Sequence, residues 1–132
     1  MIERESKNGR FPSRNGRRML RALPFAALRH EESPDTVRIE LNGELDLATA
    51  PAVEAELLHA ERHANTVIVD LRGLRFMDSS GLRVIAAADQ RIREGGGRLA
   101  IVRGPSAVHR VFELVGMESR FEMVDGSPAG ER

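Results

Sequence analysis

The stretch spanning residues 67–84, VIVDLRGLRFMDSSGLRV, constrains the fold more than any other part of the chain. Residues 67–71 read as a short strand apolar on both faces, the pattern of a parallel sheet covered on both sides. A tight loop is expected next, and then Asp78-Ser79-Ser80-Gly81 opening a helix. Asp and Ser are residue types that cap helix starts, so one serine is expected to help cap and the other to face solvent. A carboxylate and two hydroxyls thus gather at a helix N-terminus just beyond a central strand. Unpaired amides and the helix dipole favour anionic oxygen there, phosphate included.

The rest of the chain alternates strand and helix around this corner. Residues 25–30 and 37–41 are strand candidates separated by the turn-rich Glu31-Glu32-Ser33-Pro34-Asp35. In the second, Val37, Ile39 and Leu41 alternate with Arg38 and Glu40, as in a half-exposed strand. Gly43-Glu44-Leu45-Asp46 is expected as a loop. Thr49 then caps a helix with Pro51 in its first turn, ending near Asn65. The helix opened by Ser79 is expected to run to Glu94, with Leu82, Ile85, Ala86 and Ile92 inward. Gly95-Gly96-Gly97 ends it in the left-handed region. A buried strand at 99–102, a helix from Ser106 closed by Gly116, and a last strand at 121–124 complete the order β-β-α-β-α-β-α-β. That order predicts an α/β domain with a mixed, largely parallel sheet of about five strands and helices packed on it.

A length of 132 residues suits one core. Residues 21–125 are expected to form it. Residues 1–20 hold six basic and two acidic side chains without periodicity and read as a disordered arm. The Gly- and Pro-containing residues 126–132 read as a flexible tail. Beyond the arm, 14 basic side chains stand against 18 acidic ones, a net charge of −4 that offers no case for direct nucleic-acid binding. No apolar run approaches the roughly 20 residues that span a bilayer, so no membrane partner is expected. With no cysteine there is neither a disulfide framework nor a thiolate site, which fits a cytoplasmic location.

Most catalytic readings fail on residue order. A serine-hydrolase elbow needs glycine where Met77 stands. His59 and His63 share a helix face but lack the third ligand and the order of a zinc motif, so no metal is expected. His109 reads as a surface residue. The glycine triplet follows a helix, the reverse of a dinucleotide loop, and no Walker lysine is present, so no cofactor is implied. Asp46 and Asp78 both follow strands and are expected to be neighbours. A catalytic dyad would need a pocket there, whereas acidic neighbours of a modifiable serine need only proximity.

Phe76-Met77-Asp78-Ser79-Ser80-Gly81-Leu82 resembles the signature of the bacterial anti-sigma factor antagonists, the STAS-domain family. Gly43-Glu44-Leu45-Asp46 is similar to that family's G-E-L-D loop. Val69-Asp70-Leu71, Gly96-Gly97-Arg98-Leu99, Pro105-Ser106-Ala107-Val108 and residues 112–116 follow in the family's order. The resemblance covers residues 25–124. It implies a non-enzymatic partner switch in which Ser79 is phosphorylated by an anti-sigma factor serine kinase. The unphosphorylated form would bind that kinase and release a sigma factor, and a PP2C-type phosphatase would restore binding. Asp46, Asp78, Ser80 and Gly81 fall in the switch loop. The alternative within the family is an adaptor subunit of a lipid-transport ATPase or a stressosome-like assembly. The basic arm departs from the family pattern, as does a tail that cannot form the family's frequent last helix. The resemblance assigns no oligomeric state.

Overall fold

A hairpin opens the domain and sets the direction of its sheet. In the computed structural model, which describes residues 24–126, β1 (Ala26–Ser33) runs antiparallel to β2 (Thr36–Leu45) around a turn at Pro34 and Asp35. The expected arm at 1–20, and all of the expected tail but Gly126, lie outside the described residues. β1 reaches three residues further than the sequence suggests. Cross-strand charges support the extension, with Arg38 Nε donating to Glu32 at 2.7 Å and His30 2.9 Å from Glu40.

Helix α1 (Ala50–His63) leads to β3 (Thr66–Met77), α2 (Ser79–Glu94) to β4 (Arg98–Val102), and α3 (Ser106–Leu114) with a short 3-10 turn (Glu118–Arg120) to β5 (Glu122–Val124). The sheet order is β1-β2-β3-β4-β5, with every pairing after the hairpin parallel. The expected fold class and element order are borne out.

Strands laid down in sequence with right-handed crossovers carry their helices on one face. The core follows that rule. Val37, Ile39, Leu41, Val67, Val69, Leu71, Leu99 and Ile101 point to the helices, meeting Val53 and Leu57 of α1, Ile85 and Ile92 of α2, and Val108 and Phe112 of α3. Ala86, expected inward, lies at the margin of this core, only partly buried.

Among the described residues the helices lie on that face alone, yet the central strands are buried on both faces, as expected: Ile68, Ala100 and Val102 of the opposite face are no more than 2% exposed. The alternate β3 residues Ile68 and Asp70 point to the other face, where Asp70 is 2% exposed. Arg38 Nη1 reaches its carboxylate at 3.1 Å and Arg72 Nη2 at 2.8 Å. Burial would push the Asp70 carboxyl up, but hydrogen bonds from the Arg72 side chain and backbone, and the charges of Arg72 and Arg38, hold it below the usual carboxylate range.

Two loop expectations are also corrected. Gly43, Glu44 and Leu45 belong to β2, and the loop expected after Leu71 is a continuation of β3. The register explains why. Glu40 pairs with Asp70 and Asn42 with Gly73, then Gly43 pairs with Leu74 and Glu44 with Phe76. Each step puts one extra residue on β3, a pair of bulges that keeps both strands together to the paired Leu45 and Met77. The glycine triplet after α2 enters the left-handed region only at Gly96, with φ of 86°. Phe121, expected in the last strand, precedes β5. It is buried edge-on against Phe112 with ring centres 5.5 Å apart.

Candidate functional site

The joint end of β2 and β3 places two aspartates side by side. Leu45 and Met77 are register partners, and the amide of Asp78 donates to the Leu45 carbonyl at 3.1 Å. Asp46 and Asp78 therefore leave adjacent strands at the same level, as expected from the sequence.

Each carboxylate is engaged by local backbone. Asp78 is the N-cap of α2, in extended backbone, and its Oδ1 accepts from the Ser80 amide at 2.8 Å. Asp46 Oδ1 accepts from the amides of Ala48 and Thr49, each at 3.1 Å. Thr49 occupies the N-cap position of α1, yet its side chain makes no cap bond there. Its Oγ1 accepts from the Asp46 amide at 2.9 Å and donates to the Glu44 carbonyl at 2.9 Å. The threonine expected as a helix cap thus locks the Asp46 loop, and Asp46 takes up the amides ahead of the helix.

The two serines part company at the first turn of α2. Ser79 is exposed and Ser80 is 8% exposed. Among the described residues the Ser79 hydroxyl has no hydrogen-bond partner. The Ser80 hydroxyl has none either, so the two serines differ in burial, and of the two only Ser79 is exposed to solvent.

Gly81 explains how the helix start comes so close to the sheet. A Cβ there would lie 2.5 Å from Leu45 Cγ and 3.0 Å from Met77 Cγ. Gly81 therefore sets the distance between the serine turn and the paired strand ends from within, out of solvent.

Two residues of this surface carry no chemistry that sequence reasoning singled out. Leu47, just after Asp46, is 73% exposed, and Phe76, two residues before Asp78, is 46% exposed. Apolar side chains bordering aspartates at strand ends were the available signal. Clefts of about 380 Å³, lined by Arg38, Glu40, Asp70, Arg72 and Gly73, and about 250 Å³, lined in part by Glu61, Arg91 and Gly97, lie elsewhere. Neither is lined by Asp46, Asp78 or Ser79.

The histidines lie outside this surface. His59 and His63 stack with ring centres 4.3 Å apart, and His63 Nδ1 is 2.8 Å from the His59 carbonyl. His109 is stacked on Phe112 rather than fully at the surface. With Glu113 and Glu118 it brings three possible ligand atoms within 4.8 Å of one another, a proximity that is common for exposed acidic groups without an ion. Among the described residues no helix is long and apolar enough to cross a membrane.

Comparison with known proteins agrees with this geometry. Residues 28–125 match the family model described as Mlab, STAS domain. An anti-sigma F factor antagonist of Paenibacillus polymyxa is 35% identical over 81 residues, covering 60% of this chain and 69% of the relative. The anti-sigma factor antagonist SpoIIAA in its unphosphorylated form superposes with a TM-score of 0.69 at 27% identity, covering 78% of this chain and 90% of that one. The Bacillus cell fate determinant SpoIIAA in the phosphorylated form gives 0.64 at 26% identity, covering 78% and 93%. The chain belongs to the STAS domain family, among relatives that are anti-sigma factor antagonists.

Proposed function

We propose that this protein is a phosphorylation-controlled anti-sigma factor antagonist whose switch residue is Ser79. The carrying observation is the contrast between an exposed, unbonded Ser79 and a buried Ser80 at the same helix start. Kinship with a structure described as a phosphorylated form supports a phosphate on this chain as well. The relatives' names favour the antagonist role over the transporter or scaffold adaptor.

In this reading an anti-sigma factor serine kinase transfers the γ-phosphoryl group of ATP to Ser79 Oγ. The hydroxyl proton is released and ADP departs. The phosphate adds about −1.5 to −2 charges at pH 7. At the first residue of a helix it is tolerated locally by the dipole, so the fold survives. Across a docking surface that already holds Asp46 and Asp78, like charge costs several kcal/mol, and each 1.4 kcal/mol is tenfold in affinity. Leu47 and Phe76 supply the apolar contact of the unphosphorylated complex. A PP2C-type phosphatase hydrolyses the phosphoserine and restores docking. The protein acts as a non-enzymatic regulator in the cytoplasm, with residues 21–125 as its functional domain.

Ser79→Ala and Ser79→Asp test the switch in a binding assay with the cognate kinase. Retained binding by the first and at least tenfold weaker binding by the second are expected. Normal binding by Ser79→Asp would remove Ser79 from the switch.

A further inference from the structure

The geometry points to Arg83 as the built-in receiver of the Ser79 phosphate: once Ser79 is phosphorylated, the Arg83 guanidinium pairs with it along α2. This rests on the reading of Ser79 as the phosphoacceptor and adds what the modification does next.

Ser79 and Arg83 are the first and fifth residues of α2 and are both exposed. Residues four apart share a helix face, with Cβ atoms about 5–6 Å apart. A long helical side chain leans back over the turn N-terminal to its own Cα, which for Arg83 is the turn of Ser79. An anion N-terminal to a cation is also the favoured order for such a pair.

Other charges on β3 and just beyond β4 are already engaged. Arg75 lies 3.6 Å from Glu44, and Arg103 lies 2.6 Å from Asp125. The Asp46 and Asp78 carboxylates accept backbone amides. Arg83 makes no hydrogen bond or ion pair among the described residues. A guanidinium offers forked donors that match phosphate oxygens. Phosphorylation would then act twice on the docking surface, adding an anion and withdrawing a cation that the unmodified protein presents bare.

The test is a 31P NMR titration of the full chain carrying genetically encoded phosphoserine at residue 79, beside the same chain with Arg83→Gln or Arg83→Lys. Pairing favours the dianion and lowers the midpoint of the second ionisation. The native chain should titrate about 0.3 pH units below Arg83→Gln, a twofold change in acid constant and the size of an exposed pair at this spacing. Arg83→Lys should stay near the native value, and about 1 M salt should close the gap. Equal midpoints in all three chains at low salt would overturn the proposal and assign any lowering to the helix start alone. Because the phosphoserine is installed without a kinase, failure of a kinase to modify Ser79 defeats the switch reading and leaves this titration decisive for Arg83.

Discussion

Gly81→Ala sets two effects of opposite sign against each other. In an exposed helix interior alanine would stabilise by about 1 kcal/mol relative to glycine. Here the new methyl would meet Leu45 Cγ at 2.5 Å, Leu45 Cδ2 at 2.7 Å and Met77 Cγ at 3.0 Å. Leu45 is 0% exposed and Met77 3%, so neither side chain has solvent to move into. Overpacking costs about 1–3 kcal/mol; with two contacts under 3.0 Å on a fully buried side chain the upper part of that range, about 2–3 kcal/mol, applies, and sterics should win by about 1–2 kcal/mol. With a urea m-value in the middle of the usual range, about 2 kcal/mol/M, the unfolding midpoint should fall by roughly 0.5–1 M. Leu45→Ala costs about 2–5 kcal/mol on its own but removes the two atoms the methyl would strike hardest and opens room for Met77 to shift. In that background Gly81→Ala should be neutral or stabilising. Equilibrium urea unfolding of the four proteins measures the reversal. A Gly81→Ala chain as stable as the native one, or one that loses the same stability in both backgrounds, would refute close packing as the reason for the glycine.

Three further outcomes follow from the same geometry. Asp70→Asn should lower stability by about 1.5–3 kcal/mol at pH 7, the range for hydrogen bonds to a charged group. The Asp70 carboxyl is held below its unfolded value near 3.9, so its contribution is complete above that pH and is lost as the pH falls through the folded value. The gap between native and variant should therefore narrow below about pH 4 in pH-dependent unfolding, and a constant gap would deny the linkage. Thr49→Ala removes one donor and one acceptor of the Asp46 loop. It should cost about 1 kcal/mol and loosen the Asp46 amide in hydrogen exchange, whereas a purely helix-capping role would leave that amide protected. Leu47→Ser combined with Phe76→Ser should leave thermal unfolding within about 1 kcal/mol, since both side chains are exposed, while weakening kinase binding at least tenfold; unchanged binding would place the docking surface elsewhere.

Much of the fold was legible because one period dominates each segment. Alternation at Val37, Ile39 and Leu41 marked β2, and the glycine-bounded apolar runs marked the helices of the core. The length of β2 and β3 was not legible. Residues 71–77 hold Arg72, Gly73 and Arg75, which read as a loop, yet two bulges let them stay paired with β2. Asp70 sat inside an apolar run, and only the neighbouring strand and Arg72 explain how its charge is held. At the site, the approach of Asp46 to Asp78 followed from strand order. The role of Thr49 did not, because the same residue type at the same position can cap a helix or lock the loop before it. The separation of Ser79 from Ser80 by burial was not legible either, because it depends on how α2 seats on the sheet, where Leu45 closes on Gly81 from far away in sequence. Leu47 and Phe76 were passed over because single apolar residues next to acids look like ordinary strand and loop positions.

The most direct test of Ser79 as the switch is to incubate the full chain with its cognate anti-sigma kinase and ATP, map the phosphate by mass spectrometry, and measure binding of the modified protein. Phosphate on Ser79 alone, with at least tenfold weaker binding, is the expected result. Phosphate on Ser80, or a Ser79-phosphorylated chain that binds as tightly as the unmodified one, would contradict it.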